Sequence, residues 1–192
     1  MSILFLVIGN SGAGKDTVIR AVLEKYPSHK KTLKVPKRVV TRKSSISEDY
    51  ESVDIEKFNE LKKSSKFAFD WESYTHYYGI RKEIIDWLRA GHPVIVNVSR
   101  DVIKLAKQKF PSAKVIFIRV PLEVTVNRII ERGRESHDEI LDRVVRARDH
   151  QDFPNADLIV DNIDKIEETS QKILDFIINE CSKIRANTCA RA

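Results

Sequence analysis

The apolar residues of this chain fall in two patterns: short unbroken runs, and recurrences every three or four positions between them. Six apolar residues, Ile3 to Ile8, run straight into a glycine-rich stretch, which suits a strand buried on both faces in a parallel sheet. Beyond it Val18, Ile19, Val22 and Leu23 recur at helical spacing, so a helix from Lys15 to about Lys25 is predicted, stopping before Pro27. Further runs at Val35–Thr41, Pro93–Val98, Lys114–Val120 and Ala156–Val160 predict strands, with Pro36 marking a strand start or an edge. Helical recurrences lie between them: Asp54–Lys63, the segment of Ile84, Ile85 and Leu88 closed by Gly91, and Val102–Phe110. Pro121 opens a helix with Leu122, Val126, Ile129 and Ile130, ending at Arg132-Gly133-Arg134. Ser136 or Asp138 caps the next, with Ile140, Leu141, Val144 and Val145 inward and Arg143 and Arg146 on another face. Ile166, Ile173, Phe176 and Ile177 mark a closing helix, and Ala186–Ala192 are expected to fray.

Strands alternating with helices predict an α/β fold, a parallel sheet with helices on both faces. Lys43–Tyr78 breaks the rhythm. It is too long and too aromatic for a crossover, and Phe67–Tyr78 holds six aromatic side chains, expected chiefly to pack as a hairpin. The expectation is one domain over residues 1–192, with core 1–42 and 79–185 and an inserted substrate subdomain at about 43–78.

The stretch from Ile3 to Ile19 carries the chemistry. Gly9-x-x-x-x-Gly14-Lys15 between strand and helix is a P-loop. Its glycines let backbone N–H groups converge on phosphate oxygens, the helix dipole adds to the attraction, and Lys15 reaches the β/γ-phosphates. ATP is therefore expected against Gly9, Asn10, Ser11, Gly12, Ala13, Gly14, Lys15, Asp16 and Thr17. Asp16 occupies the position where most P-loops place a Mg²⁺-ligating hydroxyl. A carboxylate so close to triphosphate oxygens needs a cation between, so Asp16 is the candidate Mg²⁺ ligand, directly or through a water. The plainer alternative is that Asp favours a first helical turn, worth about 0.3–1 kcal/mol.

Composition narrows the partners. At 192 residues, 42% hydrophobic and 32% charged, the chain describes a soluble globular domain. No apolar run approaches a membrane span and Ile3–Ile8 lacks a basic leader, so a cytoplasmic location and no membrane partner are expected. Two cysteines near one end exclude a disulfide framework or zinc site. The net charge of +6 suggests nucleic acid only superficially, because the cations gather in two clusters. Lys25 to Ser47 contains no acidic residue, and seven arginines but no lysine lie between Lys114 and Lys165. A small, strongly anionic substrate accounts for both, and no nucleic-acid partner is expected.

The order Gly9–Thr17, Thr41-Arg42, Asp49-Tyr50, Tyr77-Tyr78-Gly79, Arg132-Gly133-Arg134 and Arg143 resembles the guanylate kinase-like superfamily across nearly the whole chain. The resemblance implies that Arg42, Tyr50 and Tyr78 grip the acceptor phosphate. It also implies that Arg132, Arg134 and Arg143 belong to a mobile arginine-rich lid, about 132–142, and that Asn162 touches the adenine. Lys15 and the lid arginines are thereby the catalytic candidates. Departures bear on the acceptor. Ser45 stands where guanylate kinases have a second arginine, for which Arg38 is the candidate replacement. Ile80 follows Tyr77-Tyr78-Gly79 in place of Ser or Thr, and Val96-Asn97-Val98-Ser99 lacks the family's strand-end carboxylates. Acceptors for the N–H groups of guanine are thus thinned out, leaving Ser99 at that position and Asp70 as the remaining candidate.

The combination GNSGAGKDT, VTRK, YYG, VNVSR and RGRE resembles a narrower branch, the ribose 1,5-bisphosphate phosphokinases of phosphonate breakdown. That resemblance implies transfer from ATP, with Mg²⁺, to a small anionic sugar bisphosphate, giving 5-phosphoribosyl 1-diphosphate. The alternatives are guanylate or another nucleoside monophosphate kinase, and a peptide-binding module without activity. The intact Gly9, Gly12, Gly14 and Lys15 argue against the module.

Overall fold

Strand β1 (Leu4–Ile8) is apolar at every position because both its faces are buried. Its alternate residues enter different cores, as the two-residue repeat of a strand requires. Ile3, Phe5 and Val7 meet Val18, Ile19 and Val22 of α1 (Lys15–Lys25) and Ile173, Leu174 and Ile177 of α7 (Ile166–Cys189). Leu4, Leu6 and Ile8 meet Ile84 and Leu88 of α3 (Glu83–Arg89) and Ile103 and Ala106 of α4 (Ile103–Lys109). The computed structural model describes residues 2–42, 49–133, 137–163 and 165–189.

Among the described residues β1 is an inner strand of a four-stranded parallel sheet. Its order is β6 (Val94–Asn97), β1, β7 (Lys114–Arg119), β8 (Leu158–Asp161). All these strands run the same way, so the P-loop after β1 and the chain after β6 emerge at one carboxyl edge. Helices α5 (Leu122–Arg132) and α6 (His137–Asp149) follow β7 and pack on each other. This is the parallel sheet with a P-loop at its carboxyl edge that the sequence led us to expect.

The second sheet is mixed, in the order β3 (Tyr50–Ser52), β2 (Arg38–Val40), β5 (His76–Arg81), β4 (Phe67–Ser73). Phe69, Trp71 and Ile80 join the core below β1. On the other side Val39 and Phe67 close over Phe58 of α2 (Ile55–Lys63), whose first turn is capped by the Asp54 carboxylate accepting from Lys57 N at 2.6 Å. Of the segment expected as an insertion, the described residues 49–78 supply β3, α2, β4 and the start of β5, whereas β2 precedes it and β5 runs past it.

Three local expectations are corrected. Val35–Thr41 is not one strand. Lys34 bridges Val94 at the edge of the parallel sheet, donating to Pro93 O and accepting from Ile95 N, whereas Arg38–Val40 pairs with β3 and β5. Pro36, lacking an N–H and with φ fixed, separates the two pairings. Leu141 and Val145 of α6 are not inward; they are half exposed, and the residue this helix buries is Ala147. Helix α7 continues through Cys189, so 186–189 are helical. The Ser136 cap lies outside the described residues; Asp138 lies within the first turn of α6.

Candidate active site

The loop after β1 wraps back on itself because two glycines occupy places where a side chain would collide. A Cβ on Gly9 would lie 2.6 Å from Ile118 O, and one on Gly14, at φ 78°, would lie 2.7 Å from Asn162 Nδ2. Gly14 is the N-cap of α1, so the unpaired N–H groups of its first turn face the loop's hollow. Lys15 Nζ donates to Gly9 O and Asn10 O, both at 2.9 Å, which holds the ammonium across the loop. The loop is braced from outside. Asn162 Nδ2 donates to Ala13 O at 2.9 Å, and the Arg128 guanidinium donates to Gly12 O, Asn162 O and Ile163 O.

This loop forms one wall of a cavity of about 540 Å³. Asp16 projects into it, with Oδ1 accepting from Asn97 Nδ2 at 2.8 Å and Oδ2 from Arg38 at 3.1 Å. Neither partner is near Asp16 in sequence. Asn97 ends β6, the neighbour of β1, and Arg38 begins β2. The opposite wall comes from the mixed sheet, where Arg38 pairs in register with Tyr50 on β3 and Val40 with Tyr78 on β5. Thr41 prolongs that pairing through Tyr77 and delivers Arg42, whose guanidinium lies 5.2 Å from the Tyr50 ring centre with Nε 3.4 Å from its hydroxyl. Tyr78 stacks on Trp71, centroids 5.4 Å apart and planes 9° from parallel. Arg38, Arg42, Trp71 and Tyr78 all line the cavity.

Helix α6 covers the remaining side. Its Arg143 donates to Ser11 Oγ at 2.6 Å, and Asn10 Nδ2 donates to Ala147 O, so the helix is fastened to the P-loop. Tyr74, at the tip of the β4–β5 hairpin, lies beneath both α6 arginines, 4.6 Å from Arg143 and 5.3 Å from Arg146. Its φ of 55° is uncommon for a bulky residue. Burial raises the Tyr74 phenol above its ordinary pKa against the opposing pull of Arg143 and Arg146, so the hydroxyl keeps its proton. Arg146 reaches Asp101 Oδ2 at 2.6 Å, and Ser99 donates to the same oxygen at 2.8 Å. Burial alone would push the Asp101 carboxyl up; the hydrogen bonds from Ser99 and Arg146 outweigh it and bring it below the usual range.

Sequence and structure can now be compared position by position. Gly9, Asn10, Ser11, Gly12, Gly14, Lys15, Asp16, Thr17, Arg38, Arg42, Tyr78, Ser99 and Arg143 are gathered on one cavity. Ala13 is buried behind the loop, and Tyr50 stands behind Arg42. Asn162 is buried with its amide bonded to the loop backbone, a strut outside the cavity lining. Asp70 is turned away. It follows the other parity from the cavity residues Trp71 and Ser73 and accepts from Lys62 of α2 at 2.5 Å, which removes it as an acceptor for a base. Arg132 ends α5, its side chain outside the described residues, as is Arg134. Asn97, Trp71, Ser73, Tyr74, Arg100, Arg128 and Arg146 went unassigned from sequence. For Asn97 and Arg100 a signal existed, since ligands bind beyond the carboxyl ends of parallel strands. For Tyr74 there was none.

One carboxylate facing a phosphate-binding loop suits Mg²⁺, which keeps waters and takes one or two protein oxygens beside substrate phosphates. Among the described residues no group of three or more His, Cys, Asp or Glu forms a metal cage, and no helix is long and apolar enough to cross a membrane.

Comparison with known proteins places this geometry. The guanylate kinase family model matches residues 2–180. The ribose 1,5-bisphosphate phosphokinase PhnN of Rhodopseudomonas palustris is 40% identical over 75% of this chain and 74% of its own. The PhnN protein of Rhizobium etli is 35% identical over 93% of this chain and 92% of its own. Among solved structures, guanylate kinase from Anaplasma phagocytophilum superposes with a TM-score of 0.70 at 23% identity, covering 93% of this chain and 85% of that one. At that identity the likeness shows the fold alone.

Proposed function

Because the chain belongs to the guanylate kinase family, and within it to the ribose 1,5-bisphosphate phosphokinases, we propose that it moves the γ-phosphoryl of ATP onto the 1-phosphate of ribose 1,5-bisphosphate. The product is 5-phosphoribosyl 1-diphosphate. The observation that carries the reading is a single cavity with a P-loop on one wall and Arg38, Arg42 and Tyr78 on the other, joined where Asp16 meets Arg38.

In this mechanism the backbone N–H groups at the start of α1 hold the triphosphate, and Lys15 exchanges its loop carbonyls for β/γ oxygens. Arg38 and Arg42, with the Tyr78 hydroxyl, hold the acceptor phosphate in line with the γ-phosphorus, and Tyr50 backs Arg42. An acceptor oxygen, ionised near neutral pH, forms the new bond to phosphorus as the bond to the β-phosphate oxygen breaks and ADP departs. No general base is required, which fits a cavity whose lining, among the described residues, carries a single carboxylate. Arg143, held on Ser11, neutralises charge on the phosphoryl in flight. Mg²⁺, when bound beside Asp16, would neutralise the β/γ oxygens and fix their geometry.

Incubation with ATP and ribose 1,5-bisphosphate, followed by phosphorus NMR, tests the reaction. Appearance of a diphosphate doublet on C1 with the 5-phosphate resonance intact is expected. A new phosphate ester on a ribose hydroxyl, or ATP hydrolysis alone, would contradict it.

A further inference from the structure

One part of the cavity has an arrangement that the transfer reaction itself does not use. Ser73 and Tyr74 from the β4–β5 hairpin, Ser99 and Arg100 from the chain after β6, and Arg146 from α6 line it. Arg146 has the Ser73 and Ser99 hydroxyls 3.4 Å away on two sides and Asp101, largely exposed, on its outer side. Arg100 lies 5.2 Å from the Phe117 ring and donates from Nη2 to His150 O, while its buried Nε has no partner. Burial, and then the charge of Arg146, make the Arg100 cation less favourable than usual. Two guanidiniums that disfavour each other, one of them largely buried, beside the Ser73 and Ser99 hydroxyls and the Tyr74 ring, are organised for an anion.

The chemistry of that anion is restricted. A nucleobase at this end would present N–H donors and no negative charge, yet Asp70 is paired with Lys62 on the other face and Asp101 is held by Arg146. What the lining offers instead is donors. The first phosphate of the acceptor belongs near Arg38 and Arg42, beside Asp16 and the P-loop, so an acceptor with a second phosphate must carry it along the same cavity.

We propose that Ser73, Tyr74, Ser99, Arg100 and Arg146 form the subsite for the 5-phosphate of the acceptor, the phosphate that is not extended. The proposal rests on the reading of the acceptor as ribose 1,5-bisphosphate. In this subsite Arg146, turning from the exposed Asp101, offers its fork to two phosphate oxygens, Arg100 Nε gains the partner it lacks, and the Ser73 and Tyr74 hydroxyls complete the shell, the Ser99 proton being held by Asp101. The sugar is thereby held at both ends, which sets its length as the property recognised.

The test compares ribose 1,5-bisphosphate with ribose 1-phosphate, which lacks the 5-phosphate, and uses ribose 5-phosphate as an inhibitor. In Arg146→Met, kcat/KM for the bisphosphate is expected to fall about 30-fold, chiefly through KM, and the preference for it over ribose 1-phosphate to fall at least about tenfold. The inhibition constant of ribose 5-phosphate should rise about tenfold as well. Arg100→Lys, which keeps the packing stem and the charge but loses the fork, should show the same pattern with a smaller change in KM and a melting temperature near wild type. Losses equal for both acceptors, or a loss appearing in KM for ATP, would assign these arginines elsewhere and overturn the subsite while bisphosphate turnover by the wild type stands. Absence of bisphosphate turnover in the wild type, with a nucleoside monophosphate accepted instead, would remove the acceptor reading and the subsite together.

Discussion

Asp16 shows how much a single side chain can be asked to do. Both its oxygens already accept hydrogen bonds, one from Asn97 and one from Arg38, yet a carboxylate has about four lone-pair positions and can still serve a cation or its water. It belongs to the P-loop, and its two partners belong to the end of β6 and the acceptor wall. Replacing it with asparagine keeps its size and removes the charge. Asp16→Asn is expected to raise the Mg²⁺ needed for half-maximal rate about tenfold, with a stability change of about 1 kcal/mol or less because the pair with Arg38 is part exposed. Titration of rate against Mg²⁺, beside a melting curve, checks this. An unchanged Mg²⁺ midpoint with a raised KM for the acceptor would leave Asp16 only the task of holding Arg38. Tyr74 is the residue the sequence could not announce. Its left-handed backbone, a strain of about 1–3 kcal/mol, belongs to a hairpin tip whose conformation depends on what packs around it.

At the scale of elements, legibility followed locality. The P-loop was readable because a buried strand, its turn and the following helix are consecutive, and the strand's uniform apolarity states that both faces are covered. The division at Pro36 was not readable, since it depends on whether Lys34 and Arg38 find β6 or β3 as neighbours, and these lie far along the chain. Helix α6 misled for another reason. Ile140, Leu141, Val144 and Val145 form an apolar stripe, but the helix turns Arg143 and Ala147 toward Ser11 and Asn10, leaving Leu141 and Val145 half exposed. Site function overrode the amphipathic pattern there. Helix α7 carries a charge that can be tested in isolation. Glu180 is almost fully buried, and the hydrogen bond from Lys183, with that from Lys114, brings its carboxyl below the ordinary value of 4.5 despite burial. A depressed folded value means that this stabilisation is complete above about pH 4.5 and is lost as pH falls through the folded value. Wild type should therefore lose melting temperature below that pH more steeply than Glu180→Gln, as a pH series of thermal melts would record. Parallel curves would remove Glu180 from the acid transition, leaving it to Asp101 and Asp161.

The whole molecule sets a strongly cationic cavity between two sheets of different kind. The parallel sheet supplies the P-loop and the residues after β6; the mixed sheet supplies Arg38, Arg42, Trp71, Ser73 and Tyr78; α6 closes the space with Arg143 and Arg146. The excess of positive charge noticed in the sequence is thus partly concentrated where the reaction is proposed to occur. What distinguishes this cavity from one that reads a base is the distribution of acceptors, with Asp70 facing away and Asp101 engaged by Arg146. Losing two such acceptors at about 1–3 kcal/mol each weakens guanine recognition by roughly 30-fold to 10⁴-fold. The decisive measurement is kcat/KM for ribose 1,5-bisphosphate and for GMP on the same preparation, with ATP as donor. The account requires the bisphosphate to be favoured by at least about 100-fold. Efficient phosphorylation of GMP with no turnover of ribose 1,5-bisphosphate would contradict it.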